Sequence, residues 1–254
     1  LLALSVLILA LRVSLPNSSP FDSLRPPGGG PILCYVSDRR SLSIAPERDL
    51  MEALLAKISA VAAAGVEWIQ LREKDLSGRD FAALARSALQ RVSALSSPVQ
   101  PAARILLNDR LDVALAENVG GVHLGEDSLP VHEAKRLLLF SSSVAGFPQD
   151  FLVGASCHSL DAAKSAASAG ASYIFFGPVF ATPSKAVYGA PQGLDRLAEV
   201  CRSISIPVLA IGGITLENAS SCFSAGASGI AAIRLFQNSV DPAAVVRAIR
   251  RQFS

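Results

Sequence analysis

Cationic and hydroxyl side chains follow several short apolar runs of this sequence, and they suit the binding of phosphate groups. Arg72 and Lys74 follow one run, Thr182 and Lys185 follow a later one, and Arg234 follows the last. Guanidinium and ammonium groups bind phosphate oxygens through charge-assisted hydrogen bonds. We therefore predict a site for phosphorylated small molecules.

A pair of glycines, Gly212 and Gly213, follows another apolar run. Bare backbone N–H groups at the start of a helix form a favourable seat for a phosphate group. In isolation such a pair would more often be a tight turn. We favour the phosphate seat here because of where the pair falls in the predicted fold, described below.

Two carboxylates, Asp109 and Asp127, follow neighbouring apolar runs. Carboxylates that face a phosphate-rich site suit Mg²⁺, which keeps several water ligands and shares phosphate oxygens. The alternative is that they form structural ion pairs with Arg110 or Arg72. The spacing favours the metal without excluding the ion pairs.

His158 lies two residues after Ser156, at the end of a further apolar run. It could move a proton in a reaction, or it could be a partly buried side chain with a backbone partner. The residues alone leave this open. We expect Cys157 to serve packing and His123 to be structural.

The elements that must position these residues alternate regularly after Pro31. Short apolar runs, typical of strands buried on both faces, alternate with Ala-rich amphipathic stretches typical of helices. The predicted strands are Ile32–Ser37, Trp68–Arg72, Ile105–Asn108, Gly121–Leu124, Phe151–Ala155, Tyr173–Val179, Val208–Ile211 and Gly229–Ile233. The predicted helices include Leu50–Ala64, Arg79–Val92, Asp161–Ala169, Leu194–Ser203, Leu216–Ala225 and Pro242–Arg251.

Eight such units within residues 31–254 predict an α/β protein whose single domain is a (β/α)8 TIM barrel. An open doubly wound sheet is the alternative, and the lack of a GxGxxG sequence after the first strand weakens it. In a barrel, strand ends collect on one catalytic rim. A phosphate site after strand seven, where Gly212 and Gly213 fall, is common in this fold.

The composition of the chain limits the kinds of binding partner that we predict. The formal net charge is +2, from 23 basic and 21 acidic residues, so nothing indicates binding to nucleic acid. The four cysteines have neither disulfide nor zinc spacing and predict reduced thiols in the cytoplasm. Residues 1–30 combine an apolar leader with a Pro/Gly-rich linker. We expect this segment to be disordered or to reflect a start placed upstream of the true one, and we expect no membrane partner. A homo-oligomer is left open.

Five motifs occur in a fixed order along the chain. They are QLREK at 70–74, NDR at 108–110, GVHLG at 121–125, GPVF-x-T-x-x-K at 177–185 and AIGGI at 210–214. In this order and spacing the sequence resembles the thiamine-phosphate synthase family and its sister group, the thiazole tautomerases. The resemblance covers nearly all of residues 32–236.

The resemblance implies a synthase that joins an aminopyrimidine methyl diphosphate to a hydroxyethyl-thiazole phosphate and releases diphosphate. Diphosphate leaves first, and the thiazole nitrogen attacks the resulting pyrimidine cation. The implied catalytic residues are Arg72, Lys74, Ser156 and Lys185. The implied pyrimidine diphosphate ligands are Gln70, Arg72, Lys74, Asn108, Ser156 and Lys185. The implied thiazole phosphate ligands are Thr182, Gly213, Ile233 and Arg234. The implied Mg²⁺ ligands are Asp109 and Asp127.

Two positions depart from the family pattern. Ser128 stands where the family has the aspartate that is its second metal ligand, so we assign that role to Asp127 after a small loop shift. Arg234 stands where the family has a serine that contacts phosphate. Glu126 is a further candidate for the metal.

Two other functions remain. A thiazole tautomerase would isomerise a thiazole carboxylate phosphate without metal and would use His158 to move the proton. An inactive paralogue would only bind a phosphorylated ligand. We favour the synthase, because Arg72, Lys74, Asn108 and Asp109 have no evident use in a metal-free proton transfer.

Overall fold

The computed structural model describes residues 24, 26, 29–43, 49–97, 101–141, 150–182 and 190–253. Eight parallel strands form a closed barrel in chain order, and the last strand pairs with the first. The strands are β1 Ile32–Val36, β2 Trp68–Leu71, β3 Arg104–Asn108, β4 Gly121–Leu124, β5 Leu152–Cys157, β6 Tyr173–Phe176, β7 Val208–Ile211 and β8 Gly229–Ala232. The predicted TIM barrel is confirmed.

Helices follow the strands around the outside of the barrel. They are α1 Leu50–Ala63, α2 Gly78–Ser93, α3 Leu111–Ala116, α4 Val131–Ser141, α5 Leu160–Ser168, α6 Gly193–Ser203, α7 Ala219–Ser224, α8 Arg234–Gln237 and α9 Pro242–Phe253. Within the described ranges, none of the helices combines the length and apolar character needed to cross a bilayer.

The strands are apolar on both faces because they separate two hydrophobic cores. The inner core fills the barrel and contains large side chains such as Trp68, Tyr173 and Phe175. The outer core lies between barrel and helices and includes Leu54 and Ile58 of α1. Side chains alternate between these faces along each strand, so a residue's position in its strand decides whether it points into the barrel.

Polar side chains cap the first turn of several helices where the sequence offers a short oxygen-bearing residue. Asp49 accepts a hydrogen bond from the Met51 N–H, and Ser77 and Ser159 cap α2 and α5 in the same way. Each bond satisfies a backbone N–H that the first helical turn leaves without a partner. These caps fix where the helices begin after the loops of the catalytic rim.

Several predicted boundaries differ from the structure, and three of these differences bear on the site. Strand β6 ends at Phe176 rather than Val179, next to Pro178, which has no N–H for the sheet. Strand β8 ends at Ala232, so Arg234 is not a strand end but the first residue of α8. Helix α7 begins at Ala219 rather than Leu216, for a reason described with the site.

The predictions for residues 1–23 lie outside the described residues. Nearer the barrel, Leu24 packs against the inner core and Pro26 is buried. The Gly29 N–H also donates to the Pro26 carbonyl at 3.0 Å. The end of this N-terminal segment therefore contacts the barrel.

Candidate active site

The inner face of the barrel carries several of the predicted site residues at its C-terminal end. Trp68 and Leu106 belong to the inner core, so Gln70 and Asn108, two residues further along their strands, share that face. Leu152 is also in the inner core, and Ser156 lies four residues beyond it on β5. The fold thus brings the ends of β2, β3 and β5 to one opening.

A hydrogen-bonded series of side chains crosses from β2 to the loop after β3. The buried Gln70 amide donates from Nε2 to Asn108 Oδ1 at 2.8 Å, and Asn108 Nδ2 donates to Asp109 Oδ2 at 2.5 Å. The series leaves each amide little rotational freedom. It holds the Asp109 carboxylate in a fixed orientation at the rim.

Asp109 collects further donors from the loop after β4. Its Oδ1 accepts a bond from the Gly125 N–H at 2.9 Å and a short bond from the Ser128 hydroxyl. The backbone of Asp109 is left-handed, with φ of 63°, a region that aspartate tolerates better than most residues. In the same loop, Glu126 and Asp127 are exposed.

This donor set fits a hard cation such as Mg²⁺. Asp109 offers a carboxylate and Ser128 a hydroxyl next to it, and Asp127 lies one residue away along the loop. Among the described residues no group of three or more His, Cys, Asp or Glu side chains could hold a metal by itself. Mg²⁺ commonly binds one or two carboxylates and completes its shell with water and phosphate oxygens. Arg110 pairs with Asp112 at 2.6 Å, so it is not the partner of Asp109 that the ion-pair alternative required.

The cationic residues of QLREK follow β2 on a loop that Glu73 anchors. Arg72 is half-buried and Lys74 is exposed. Between them, the buried Glu73 carboxylate accepts bonds from the Ser37 hydroxyl at 2.6 Å and from the Arg39 guanidinium at 3.0 Å. This buried anchor holds the loop between Arg72 and Lys74 against the segment that follows β1.

His123 lies beneath the rim inside the barrel. Burial lowers the pKa of this imidazole to about 3, so it is neutral. Its Nε2 lies 2.9 Å from the Ser156 hydroxyl, and its Nδ1 lies 3.1 Å from the Tyr173 hydroxyl. Its ring also packs against Phe175, with centroids 4.1 Å apart.

A second region of the rim lies at β6, β7 and β8. Gly213 has φ of 68°, and a Cβ there would come within 2.6 Å of the Ala181 carbonyl oxygen, next to the half-buried Thr182. The end of β8 lies beside this loop, with Ile233 half-buried and Arg234 exposed. Lys185, the other predicted cation of this region, lies outside the described residues.

The loop after β7 closes through Asn218. Its side chain accepts a bond from the Thr215 N–H at 2.8 Å and donates one to the Gly213 carbonyl at 2.9 Å. These bonds close a turn over residues 213–218, and α7 begins directly after it at Ala219. The glycine pair is therefore separated from the helix by a turn.

His158 is the one titratable side chain at the end of β5 whose tautomer the geometry defines. Its Nδ1 makes a short bond to the Gly177 carbonyl, which can only accept, so Nδ1 carries the proton. In the neutral form of this imidazole, the Nε2 atom then has the lone pair. Neighbouring Cys157 is buried, and burial raises the pKa of its thiol to about 12.

Three residues of the site were not assigned to it from the sequence. We expected His123 to be structural, and neither Tyr173 nor Glu73 was a candidate. Strand parity offered a signal for the first two: Gly121 and His123 share a face, as do Tyr173 and Phe175. That signal becomes interpretable only with the register of β4, β5 and β6.

Comparisons with known proteins agree with this geometry. A family model described as thiamine monophosphate synthase matches residues 42–236. A putative thiamine-phosphate synthase of Geobacter sulfurreducens is 43% identical over 196 residues, covering 77% of this chain and 85% of that protein. A thiamine-phosphate synthase of a Roseiflexus species is 37% identical over 248 residues, covering 98% and 94%.

Solved structures give the same result. A thiamine phosphate pyrophosphorylase from Pyrococcus furiosus superimposes with a TM-score of 0.70 at 29% identity, covering 87% of this chain and 94% of that one. The geranylgeranylglyceryl phosphate synthase of Thermoplasma acidophilum has a TM-score of 0.63 at 16% identity and shares the fold alone.

Proposed function

Since the chain belongs to the thiamine monophosphate synthase family, we propose that it couples a pyrimidine methyl diphosphate to a thiazole phosphate. The products are thiamine phosphate and diphosphate. The observation that carries the assignment to this rim is the series Gln70–Asn108–Asp109, which holds a carboxylate beside the cationic loop of Arg72.

The reaction breaks one C–O bond and forms one C–N bond at the same carbon atom. The C–O bond between the pyrimidine methylene carbon and the diphosphate breaks, and its electron pair leaves with the diphosphate. The thiazole nitrogen lone pair then forms a C–N bond to that carbon. Negative charge develops only on the leaving group, so the protein must supply fixed positive and hydrogen-bond-donating groups around it rather than a strong base.

We assign the pyrimidine diphosphate to the opening between β2 and β6. Gln70 and Asn108 hold the heterocycle from inside the barrel, and Arg72 and Lys74 stabilise the diphosphate from the loop after β2. Ser156 donates to the same group from β5. Lys185 completes the set of cations in this proposal.

We assign Mg²⁺ to Asp109 together with Asp127. The bound ion would neutralise charge on the departing diphosphate. Asp109 keeps one Oδ2 lone pair beyond its bond with Asn108, and the exposed Asp127 side chain can turn towards it. Ser128 or Glu126 would take the second position if Asp127 does not.

We assign the thiazole phosphate to the second region of the rim. Backbone N–H groups at Gly213 and next to Ile233, with the Thr182 hydroxyl and the Arg234 guanidinium, can surround a phosphate monoester. Arg234 is exposed, so its long side chain can close over the group from outside. With two phosphate sites on one rim, the thiazole nitrogen would lie between them in this proposal.

The His158 geometry favours one competing function. A half-buried imidazole with Nδ1–H on a carbonyl and a free Nε2 lone pair could move a proton, as in a thiazole tautomerase. In the synthase the same residue would only line the site. The Asp109 carboxylate and the cationic loop of Arg72 have no evident use in the metal-free proton transfer of that alternative.

Location and partners complete the proposal. All four cysteines are free thiols, and Cys34, Cys157 and Cys222 are buried. Free thiols suit a reducing compartment, so we place the protein in the cytoplasm with small phosphorylated substrates as its partners. Association with a second copy of this chain is left to a sizing measurement.

Incubation of the purified protein with candidate substrates separates the two functions. With Mg²⁺ and both phosphorylated precursors we expect thiamine phosphate, detected by mass spectrometry. With a thiazole carboxylate phosphate alone we expect no isomer. Isomerisation without thiamine phosphate would replace the synthase by the tautomerase, and neither product would leave an inactive ligand-binding paralogue.

A further inference from the structure

Tyr173, His123 and Ser156 form a hydrogen-bonded series from the inner core to the rim. We propose that His123 is a positioning residue, which holds the Ser156 hydroxyl as a donor towards the diphosphate, and that Tyr173 fixes the imidazole tautomer that does so. The inference rests on the proposed function, because it needs Ser156 to contact that anion.

The Tyr173 hydroxyl is the first donor of this hydrogen-bonded series. This side chain is fully buried, and burial raises the pKa of its hydroxyl well above the usual value, so the hydroxyl keeps its proton. Among the polar contacts of the described residues, its acceptor is His123 Nδ1 at 3.1 Å. The opposite arrangement would bury an O–H group without an acceptor, which folded proteins avoid.

The His123 imidazole accepts a hydrogen bond at one ring nitrogen and donates one from the other. His123 is 1% exposed and both of its ring nitrogens contact hydroxyls rather than carboxylates, so it is neutral and carries one proton. Since Nδ1 accepts from Tyr173, the proton is on Nε2. Nε2–H therefore donates to Ser156 Oγ at 2.9 Å.

Ser156 then has its proton available for a ligand. Its Oγ is half-buried near the end of β5 and uses a lone pair for the bond from His123. A diphosphate oxygen requires a donor, and the Ser156 O–H can supply one. With the opposite tautomer, the Ser156 proton would go to Nε2, and the hydroxyl would present lone pairs to an anion.

Gly154 shows that the barrel makes room for this arrangement. A Cβ at Gly154 would lie 2.0 Å from Tyr173 Cζ and 2.4 Å from its hydroxyl oxygen. Glycine on β5 thus lets the phenol lie directly beneath the imidazole. Packing of the His123 ring on Phe175, with centroids 4.1 Å apart, holds the ring that both hydroxyls contact.

The tautomer can be measured directly. Long-range ¹H–¹⁵N correlation spectra of histidine-labelled protein separate a protonated ring nitrogen from one with a lone pair. In the wild-type protein without ligand we expect His123 with the proton on Nε2. A proton on Nδ1 would overturn the inference, whatever the protein's activity.

A double-mutant cycle tests the consequence for the ligand. The probe is inorganic diphosphate with Mg²⁺, and the measurement is its Kd by isothermal titration calorimetry. We expect Ser156→Ala to weaken binding about tenfold and Tyr173→Phe about threefold to tenfold. In the Ser156→Ala background, Tyr173→Phe should change the Kd no further, because His123 acts through Ser156.

Tyr35→Phe is the matched control. Tyr35 is also a fully buried strand tyrosine, and its hydroxyl donates to Gln237 Oε1 at 2.8 Å. Tyr35→Phe removes one phenol oxygen, as Tyr173→Phe does, and it should leave the Kd for diphosphate unchanged. Should Tyr173→Phe not fold, the tautomer of the wild-type protein decides alone.

The outcomes separate this inference from the proposed function. If the wild-type protein does not bind diphosphate at millimolar concentration, the proposed function fails. If it binds, and Tyr173→Phe weakens binding by the same factor with and without the Ser156 hydroxyl, His123 is merely structural and this inference alone fails.

Discussion

At Asp109, three hydrogen bonds converge on one carboxylate at the edge of the barrel. Asn108 occupies one oxygen, and the Gly125 N–H and the Ser128 hydroxyl occupy the other. These bonds orient the carboxylate before any ligand arrives. A preorganised anion is what a site for a cation and a diphosphate requires, since no reorganisation then opposes binding.

Asp109→Asn tests this residue. The amide keeps the shape of the side chain but removes the charge, so we expect Mg²⁺-dependent turnover to fall at least a hundredfold. Asp112→Asn is the control, because Asp112 is an exposed carboxylate on the next helix that pairs with Arg110. The measurement is the initial rate over a Mg²⁺ titration. Equal rates for Asp109→Asn and Asp112→Asn would remove Asp109 from the metal site.

The second metal ligand is a separate prediction. If Asp127 turns towards Asp109, Asp127→Asn should raise the Mg²⁺ concentration that gives half-maximal rate, and Ser128→Ala should not. The structure places the Ser128 hydroxyl in contact with Asp109, so a rise for Ser128→Ala alone would assign the position to Ser128.

The sequence predicted which residues belong to the site better than it predicted the contacts between them. Gln70, Asn108 and Asp109 were identified from motifs that follow strands. The Ser128 contact depends on the path of a four-residue loop, and the Tyr173–His123 contact depends on a glycine on another strand. Neither follows from local spacing, because both join distant parts of the chain.

Among the elements, the loop after β7 shows most clearly how a short sequence shapes a phosphate seat. Gly212 and Gly213 both have positive φ, and Asn218 ties the loop to the start of α7. The backbone of Gly213 packs so closely against Phe180 and Ala181 that no side chain fits. Glycine is therefore required by both conformation and space.

Gly213→Ala and Gly193→Ala separate these two requirements. Both glycines have positive φ, but a Cβ on Gly193 would meet nothing within 4 Å. We expect Gly193→Ala to lower the free energy of unfolding by about 1–2 kcal/mol from backbone strain alone. Gly213→Ala should cost about 2–4 kcal/mol and should raise the KM for the thiazole phosphate. Chemical denaturation and steady-state kinetics check both, and equal costs would show that the close packing at Gly213 is not limiting.

Most elements were predictable, and the exceptions have local causes. The apolar runs identified all eight strands, because a parallel barrel buries both faces of each strand. The start of α7 was wrong because residues 216–218 belong to the turn that the Asn218 side chain closes, and the end of β6 was wrong because Pro178 lacks a donor. Helix and strand propensity and the spacing of apolar residues do not reveal a turn closed by one side chain or the effect of one missing backbone donor.

For the whole molecule, the proposed active site and the ion pair of Glu67 lie at opposite ends of the barrel. At the end opposite the rim, Glu67 accepts a bond from the Leu33 N–H at 2.8 Å and pairs with Arg250 of α9 at 2.6 Å. It thereby connects β1, the start of β2 and the last helix. Burial raises the pKa of this carboxyl to about 6.

This raised pKa makes a prediction for stability. Because the folded pKa exceeds the ordinary value of 4.5, the folded state binds the proton more tightly. The contribution of the protonated Glu67 carboxyl to the free energy of unfolding is therefore complete below about pH 4.5 and is lost as pH rises through about 6. We expect about 2 kcal/mol of this loss between pH 4.5 and 7. Glu67→Gln should remove that part of the pH dependence in urea denaturation, and an unchanged profile would contradict it.

We propose that the rim residues, together with Mg²⁺, make this protein a metal-dependent synthase. The decisive measurement is diphosphate release with the pyrimidine diphosphate alone, with the thiazole phosphate alone and with both. We predict rapid release only with both substrates, one diphosphate for each thiamine phosphate, abolished by a chelator and restored by Mg²⁺. Release at the same rate after chelation, or no thiamine phosphate with both substrates and Mg²⁺ present, would rule out metal-dependent coupling.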